Sequence, residues 1–388
     1  METPFEDHPQ SSTKDIWDVA VIGAGPAGAC AAFHLAARGH RVLLLDRFSF
    51  PREKTCGDAL AMDSLQRLEA MGLGDRVRSR GYVVNRARIF SPSRIEIEIP
   101  AEYVMIQRSL LDAMIVERAV EKGAIFQKGN VQNIVPEKDN SLSILCRDNP
   151  RKISARFCVI ATGTRLGLFK KFKVVPHRTP EAIGARCYVE SSYPLVHLIF
   201  AHERCTPQGY GWIFPMGENK YNVGVGSFYG SGIEHARNLK KYFQDFLAEF
   251  PISRELLNKG AIISPLSIAP LRYGMKGTLP VLGENILVAG ETIGTTLPFT
   301  GEGIGPALHS AEIAARVLDK ALSTGNTDCL KEYPQILEEE MRHRYRWLSL
   351  AEKMLRGKWF DLLWLLAQRN KPIHRKIVSI TLGHDVPM

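Results

Sequence analysis

Between Asp18 and Asp46 the chain passes through an apolar run, a glycine-punctuated turn, a small-residue stretch and a second apolar run, DVAVIGAGPAGACAAFHLAARGHRVLLLD. Asp18–Ile22 has the unbroken apolar character of a strand covered on both faces. The alanine-rich stretch after it, to about Arg38, predicts a helix, and RVLLLD predicts a second buried strand ending on Asp46. Further along, the pattern changes to alternation. Tyr210, Trp212 and Phe214 stand two apart, so in a strand they share one face. Pro215 ends that strand, GENK makes a turn, and Tyr221–Gly226 runs back. Gly224 and Gly226 on the return strand are expected to leave open room beside the aromatic wall, suited to an extended apolar guest.

The remaining patterns fill in the frame. Residues 85–107 read as strands with turns at Ser91–Ser93 and Pro100–Glu102, and 106–124 as a helix opening at Arg108. Four strand patterns between 182 and 226 predict an antiparallel sheet, followed by an amphipathic helix over 235–250. Residues 285–318 predict a strand, a glycine-rich loop and a long helix starting near Gly303. From about Asp328 the chain is helical and basic. The expected fold is therefore α/β: a Rossmann-like domain, an inserted antiparallel-sheet domain, and a helical carboxy-terminal region.

Composition narrows the class. With 388 residues, 45% hydrophobic and 23% charged, the chain has ample core for two or three domains. Net charge is +9, and residues 341–388 hold ten Lys/Arg against three Asp/Glu. A nearly neutral body with one basic end argues against a nucleic-acid binder. Within that end, Trp359, Phe360, Leu362, Leu363, Trp364, Leu365 and Leu366 lie between basic clusters that include Lys353, Arg356 and Lys358. This apolar core is too short to span a bilayer; it fits a helix lying on an anionic membrane surface, or one closing over the body. The uncharged window 19–37 is no span either, because Gly-x-Gly-Pro interrupts it. Seven cysteines without C-x-x-C pairs point to free thiols in a reducing compartment. Cys30, Cys146 and Cys158 fall in helix or strand patterns as core residues. No histidine cluster has metal-ligand spacing, so no metal is expected. The polar amino terminus reads as a disordered tail without a signal pattern, which gives a cytoplasmic expectation, with peripheral membrane association through the basic end.

Gly23, Gly25 and Gly28 give G-x-G-x-x-G between a strand and a helix. Gly23 allows the turn, Gly25 lets the backbone approach a pyrophosphate, and Gly28 lets helix and strand pack. With Ala24, Pro26 and Ala27 they present a helix amino terminus to phosphate. Asp46 is placed to accept ribose hydroxyls, with Arg47 beside it. The fingerprint alone does not separate FAD from NAD. Two later segments favour FAD: the 285–318 loop and helix, whose first N–H groups suit the electron-rich end of a flavin, and the helix opening at Arg108, placed to reach phosphate or ribose.

The chain resembles the FAD-dependent geranylgeranyl reductases, within the group sharing the p-hydroxybenzoate hydroxylase fold, over residues 15–320. The resemblance is carried by the 23–28 fingerprint with Asp46, PREKTCGDAL at 51–60, Arg108, PQGYGWIFP…NVGVG at 207–226 and GETIGTTLPFTGEGI at 290–304. It implies a discontinuous FAD domain (15–84, 108–175 and 277–327), a substrate domain (85–107 and 176–276) and a carboxy-terminal region, 328–388. It places Cys56, Gly57, Val131, Gly163, Gly290, Glu291, Pro298, Gly301, Gly303 and Ile304 at the flavin with the residues above. It places Tyr210, Trp212, Phe214, Gly224 and Gly226 along a prenyl chain, with Cys56, Tyr210 and Trp212 as catalytic candidates. Two departures stand out: Gly290-Glu291 where the family has Gly-Asp, and Thr162-Gly163 where hydroxylases have Asp-Gly. The second weakens any carry-over of NAD(P)H contacts.

The implied activity is saturation of carbon–carbon double bonds in an isoprenoid chain, by hydride from reduced flavin plus a proton. NAD(P)H or a separate electron-donor protein would supply the electrons. Two other readings stay open: a flavin monooxygenase or halogenase, and a non-catalytic prenyl-binding protein. Tyr210 and Phe214 depart from the halogenases' W-x-W-x-I-P, and an intact flavin loop with Cys56 argues against the carrier.

Overall fold

The computed structural model describes residues 16–149, 152–172, 180, 182–206, 208–228, 238–354 and 359–375. The tail before residue 16, and Arg356 and Lys358, lie outside them. Two sheets organise the chain. The first has eight strands with a parallel centre. Ile286–Val288, Ile153–Ile160, Trp17–Ile22, Val42–Asp46 and Ile125–Lys128 lie side by side in that order. Parallel neighbours need a crossover, and the helix Pro26–Ala36 supplies the first one. That helix packs on the helices Arg108–Glu121 and Ile304–Thr324. Covered strands explain the unbroken apolar runs: Val19, Ala20, Val21, Val42, Leu44 and Leu45 have no exposed surface. Val131–Pro136 and Leu142–Cys146 form an antiparallel flap on Ile153–Ile160.

The second sheet has nine strands. Its order is Gly260–Ile262, Ala182–Ser191, Lys220–Phe228, Gly209–Pro215, Leu198–Ala201, Tyr82–Phe90, Glu96–Met105 and Ala59–Leu60, with Ser267–Leu271 also on Ala182–Ser191. The expected antiparallel pairing holds except between Leu198–Ala201 and Tyr82–Phe90, which run parallel. The turn expected at Pro100–Glu102 is absent, because Glu96–Met105 is one strand. Pro100 sits where the register slips opposite Val84 and Arg86, and such a bulge tolerates a residue without an N–H. Both faces of this sheet are covered. The helix Leu239–Glu249 lies on one, where Phe246 fills the space over Gly211. Tyr210, Trp212 and Phe214 point to the other, as their spacing requires.

The carboxy-terminal helices Tyr333–Met354 and Trp359–Arg369 lean on the body. Phe360 and Trp364 are buried against the second sheet, with the Trp364 indole N–H donating to the Ile89 carbonyl. Asp361 accepts from the hydroxyls of Ser91 and Ser93 and from the Ser93 N–H. Leu362, Leu365 and Leu366 on the same helix are 45%, 42% and 44% exposed, and Trp347 and Leu350 on the preceding one are both 47% exposed. The helix thus closes on the body and shows a second apolar face. No helix among the described residues is long and apolar enough to cross a membrane.

Candidate cofactor and active site

The three fingerprint glycines do different work. Gly23 has φ +98°, and a Cβ there would lie 2.4 Å from the Ala161 carbonyl oxygen. A Cβ on Gly28 would lie 1.7 Å from the Gly23 carbonyl oxygen. Those two close backbone on backbone. Gly25 is a helix N-cap at φ −71°, and its nearest neighbour would be an Arg52 guanidinium nitrogen at 3.6 Å. It fronts a cradle. Asp46 braces the turn, accepting from the Ala24 N–H at 2.8 Å and, through its other oxygen, from Phe48 at 3.0 Å. A carboxylate has lone pairs beyond these two for a ribose. Arg47 lies over the Phe48 ring. Val131 begins its strand just past the Asp46–Lys128 pairing, on the same edge.

Arg108, expected to reach phosphate or ribose, turns onto its own helix. It meets Asp112 with two bonds, of 2.7 and 2.8 Å, and is buried. Burial disfavours its charge, but Asp112 and the adjacent Cys56 more than offset this and hold its pKa above the usual value. Asp112 also meets Arg52 at 3.3 Å. Two guanidinium groups on one carboxylate leave a positive charge, and Arg52 stands beside the Gly25 cradle. Arg52 is the residue that the sequence reading passed over; its signal was a cation directly after the Phe50-Pro51 step and four residues before Cys56.

The second loop comes in from the far end of the sheet. Gly290 (φ +69°) touches the first helix, where its Cβ would lie 2.7 Å from that of Ala27, and its N–H donates to the Ser310 hydroxyl. Glu291 accepts from the Arg272 N–H at 3.2 Å, and a Cβ on Gly163 would sit 3.6 Å from its other oxygen. Burial raises its pKa, opposed by Lys54. Pro298, Gly301, Gly303 and Ile304 lead into the 21-residue helix Ile304–Thr324, which starts on Gly303 without a side-chain cap. The Pro26–Ala36 helix likewise starts on Gly25 without one. Two uncapped amino termini whose first turns, at Ala27 and Ala307, meet over Gly290, with Arg52 beside the open Gly25, fit the pyrophosphate and flavin of FAD.

The aromatic strand lies across both loops. A Cβ on Gly57 would be 3.1 Å from the Phe214 ring and 3.7 Å from the Trp212 indole nitrogen, so the Cys56–Gly57 turn rests on that pair. Tyr210 reaches the other loop: its hydroxyl donates to the Thr300 carbonyl and would touch a Cβ on Gly301 at 3.2 Å. Gly57, Trp212 and Phe214 thus meet at one loop and Tyr210 and Gly301 at the other, and Trp212 and Phe214 are only 8% and 5% exposed. The open room expected over Gly224 and Gly226 is not there. A Cβ on Gly224 would be 2.2 Å from Trp212 Cζ2, and one on Gly226 3.7 Å from Trp212 Cζ3. The glycines make room for the indole of the paired strand, because Trp212 and Gly224 are register partners. A cleft of about 610 Å³ opens elsewhere, between Gly274–Pro280 and the helix Tyr333–Met354, and none of the predicted site residues lines it.

A polar cluster that the sequence reading also missed ties this centre together. Asn222, buried in the return strand, takes the Trp212 indole N–H on its oxygen at 2.9 Å. Its amide donates to the Cys56 carbonyl at 2.9 Å and to Asp58 at 2.8 Å. The only signal was one polar residue in the apolar run YNVGV. Nearer the second helix, Glu302 and Asp63 share Arg344, at 3.2 and 2.7 Å. Burial and the Asp63 charge push Glu302 up to about 8.

The family described as lycopene cyclase protein matches residues 18–255. A menaquinone reductase of Mycolicibacterium smegmatis is 28% identical over 362 residues, 87% of this chain and 83% of that protein. A digeranylgeranylglycerophospholipid reductase of Methanopyrus kandleri is 29% identical over 357 residues, 87% and 90% of the two chains. Among solved structures, a geranylgeranyl bacteriochlorophyll reductase-like protein of Thermoplasma acidophilum superposes with a TM-score of 0.78 at 20% identity, covering 94% of this chain and 99% of that one. A flavin-dependent brominase superposes at 0.75 with 16% identity, over 95% and 94%, which shows a shared fold. With more than half its length matched, the chain belongs to the lycopene cyclase protein family and is a geranylgeranyl reductase-like, FAD-dependent oxidoreductase.

Proposed function

We propose that the protein saturates carbon–carbon double bonds of an isoprenoid chain. The observation carrying this reading is the aromatic strand lying across both loops assigned to the flavin, with Trp212 and Phe214 under Cys56–Gly57 and Tyr210 at Gly301. FAD, when bound and reduced, supplies hydride. The residues Gly25, Arg52 and Asp46 would hold its dinucleotide end, and the 290–304 loop its ring. An isolated alkene is not polarised, so a proton must also reach one carbon while positive charge passes to the other. Trp212, Phe214 and Tyr210 bind the chain by area, at about 25 cal/mol per Å². Their faces stabilise the passing charge. Cys56 lies at the junction and orients the reacting bond. The electrons come from NAD(P)H or from a reduced carrier protein. The exposed leucines of the last helix, beside the basic end, dock the protein on an anionic membrane where prenyl lipids reside.

The test uses purified, FAD-loaded protein reduced with dithionite without oxygen and given a geranylgeranyl-bearing lipid. Mass spectrometry should show hydrogen added to the chain as the flavin re-oxidises. Flavin that stays reduced with the lipid and re-oxidises only when oxygen and halide are admitted, halogenating an acceptor, would replace this reading with the halogenase one.

A further inference from the structure

Asp58 is buried, at 1% exposure, two residues beyond Cys56. It adopts φ +63°, a left-handed conformation that costs most side chains energy but which Asp tolerates. One carboxyl oxygen, Oδ2, accepts twice: from the Tyr188 hydroxyl at 2.6 Å and from Asn222 at 2.8 Å. The other, Oδ1, is buried with no partner among the described residues. Native proteins rarely leave such an atom alone, so an orphan deserves a cause.

The charges around it have been assigned other partners. Arg108 is held by Asp112. Arg186 stacks over the Tyr188 ring at 4.2 Å and meets Glu53, itself 74% exposed, at 3.4 Å. Lys220 lies over the other side of that ring region, 4.4 Å from its centroid. Burial raises the Asp58 pKa, while Tyr188, Asn222, Arg186 and Arg108 in turn oppose it. A proton on this carboxyl has one place to sit. Oδ2 already receives two donors, so Oδ1 carries the hydrogen, and no acceptor among the described residues meets it.

We propose that Asp58 is a carboxylic acid whose Oδ1–H, held at the Cys56–Gly57 turn by Asn222 and Tyr188, supplies the proton for alkene reduction. This rests on the isoprenoid-reductase reading. The O–H bond breaks and a C–H bond forms at one alkene carbon as the π bond breaks; hydride from reduced FAD forms the second C–H bond. Asp58 is left as carboxylate. As the Tyr188 hydroxyl passes its hydrogen to Oδ2 it takes another from solvent in the same step, and a half-turn of the carboxyl then brings the new O–H to the place of Oδ1. Two electrons leave the flavin and reduce the alkene.

The variants are Asp58→Asn and Tyr188→Phe, each FAD-loaded, reduced and mixed with a geranylgeranyl lipid or with benzoquinone, whose reduction needs no proton delivered to carbon. Asn keeps the shape and the hydrogen-bond acceptor, so a role in holding the turn survives it and a role as acid does not. Loss of one general acid slows a step about 10²–10⁴-fold. Asp58→Asn should slow re-oxidation by the lipid in that range, leave re-oxidation by benzoquinone unchanged, and retain FAD. Tyr188→Phe should slow repeated turnover more than the first. Independently of activity, the infrared carbonyl band of a protonated carboxyl should appear near neutral pH in wild type, shift in D₂O, and vanish in Asp58→Asn. Wild-type rates in Asp58→Asn, or no such band assignable to Asp58, overturn the proposal. A wild type that never reduces the lipid overturns the isoprenoid reading, and with it the proton's destination, while the band still reports whether Asp58 holds the proton.

Discussion

Replacing Gly25 by alanine separates cofactor binding from folding. The new Cβ would meet Arg52 at 3.6 Å, an ordinary contact, and φ at −71° suits alanine. The apoprotein should therefore fold, and gain about 0.4–1 kcal/mol from a less flexible unfolded chain. The same carbon stands in the cradle where the pyrophosphate must approach. If it weakens FAD 100-fold, then at a flavin concentration of about 100 wild-type Kd the stabilisation by ligand falls from about 2.7 to about 0.4 kcal/mol. Gly28→Ala is the contrast: its Cβ would lie 1.7 Å from the Gly23 carbonyl oxygen, and the loop cannot form without displacing the backbone. The assays are urea unfolding with and without FAD, and flavin retention after gel filtration. Gly25→Ala that holds FAD as wild type does, or whose apoprotein collapses like Gly28→Ala, would refute the division of labour among these glycines.

Three further outcomes follow from other contacts. Gly224→Ala should destabilise by about 1–3 kcal/mol through overpacking against Trp212 and the Ala185 carbonyl, and Trp212→Leu should relieve part of it in urea titrations; simple additivity would show that the indole does not fill that space. Glu302 has its folded pKa raised from 4.5 to about 8, so the fold favours its neutral form, and that contribution is present below 4.5 and lost as pH rises through about 8; Glu302→Gln should flatten the fall in melting temperature across this window, and an unchanged slope would count against it. Trp364→Ala should cost about 3–5 kcal/mol, whereas Leu366→Asp, at a position 44% exposed, should leave stability alone and weaken salt-sensitive binding to anionic vesicles; equal stability losses would make both residues core.

Patterns that depend on neighbours in the chain were legible before the structure. The parallel strands announced themselves as unbroken apolar runs, and Tyr210, Trp212 and Phe214 took the shared face that their spacing required. What was hidden depends on partners far along the chain. Gly224 looked like empty room because its tenant, Trp212, arrives from the paired strand. Pro100 looked like a turn because it opens a bulge in its own strand, which only the pairing with Tyr82–Phe90 keeps extended. Arg108 is the exception: its partner, Asp112, lies four residues on along the same helix and was read only as a helix residue. Asn222 showed only as one polar residue in an apolar run and Asp58 gave no local sign, since the two meet across 164 residues of chain.

The strand Ala59–Leu60 belongs to the second sheet although it follows directly on the Cys56 turn beside the first. Along its length the chain passes from one sheet to the other four times, after Asp46, Met105, Ile160 and Leu271. A body stitched in this way has no hinge. Swinging the sheets apart would strain four connections together and break the Asn222 bonds that cross the seam. On the proposed reading, a long prenyl lipid would thread in past side chains and the carboxy-terminal helices, and leave the same way. Hydrogen exchange should accordingly show the two sheets losing protection as one unit, with the last helix opening earlier and more often than either.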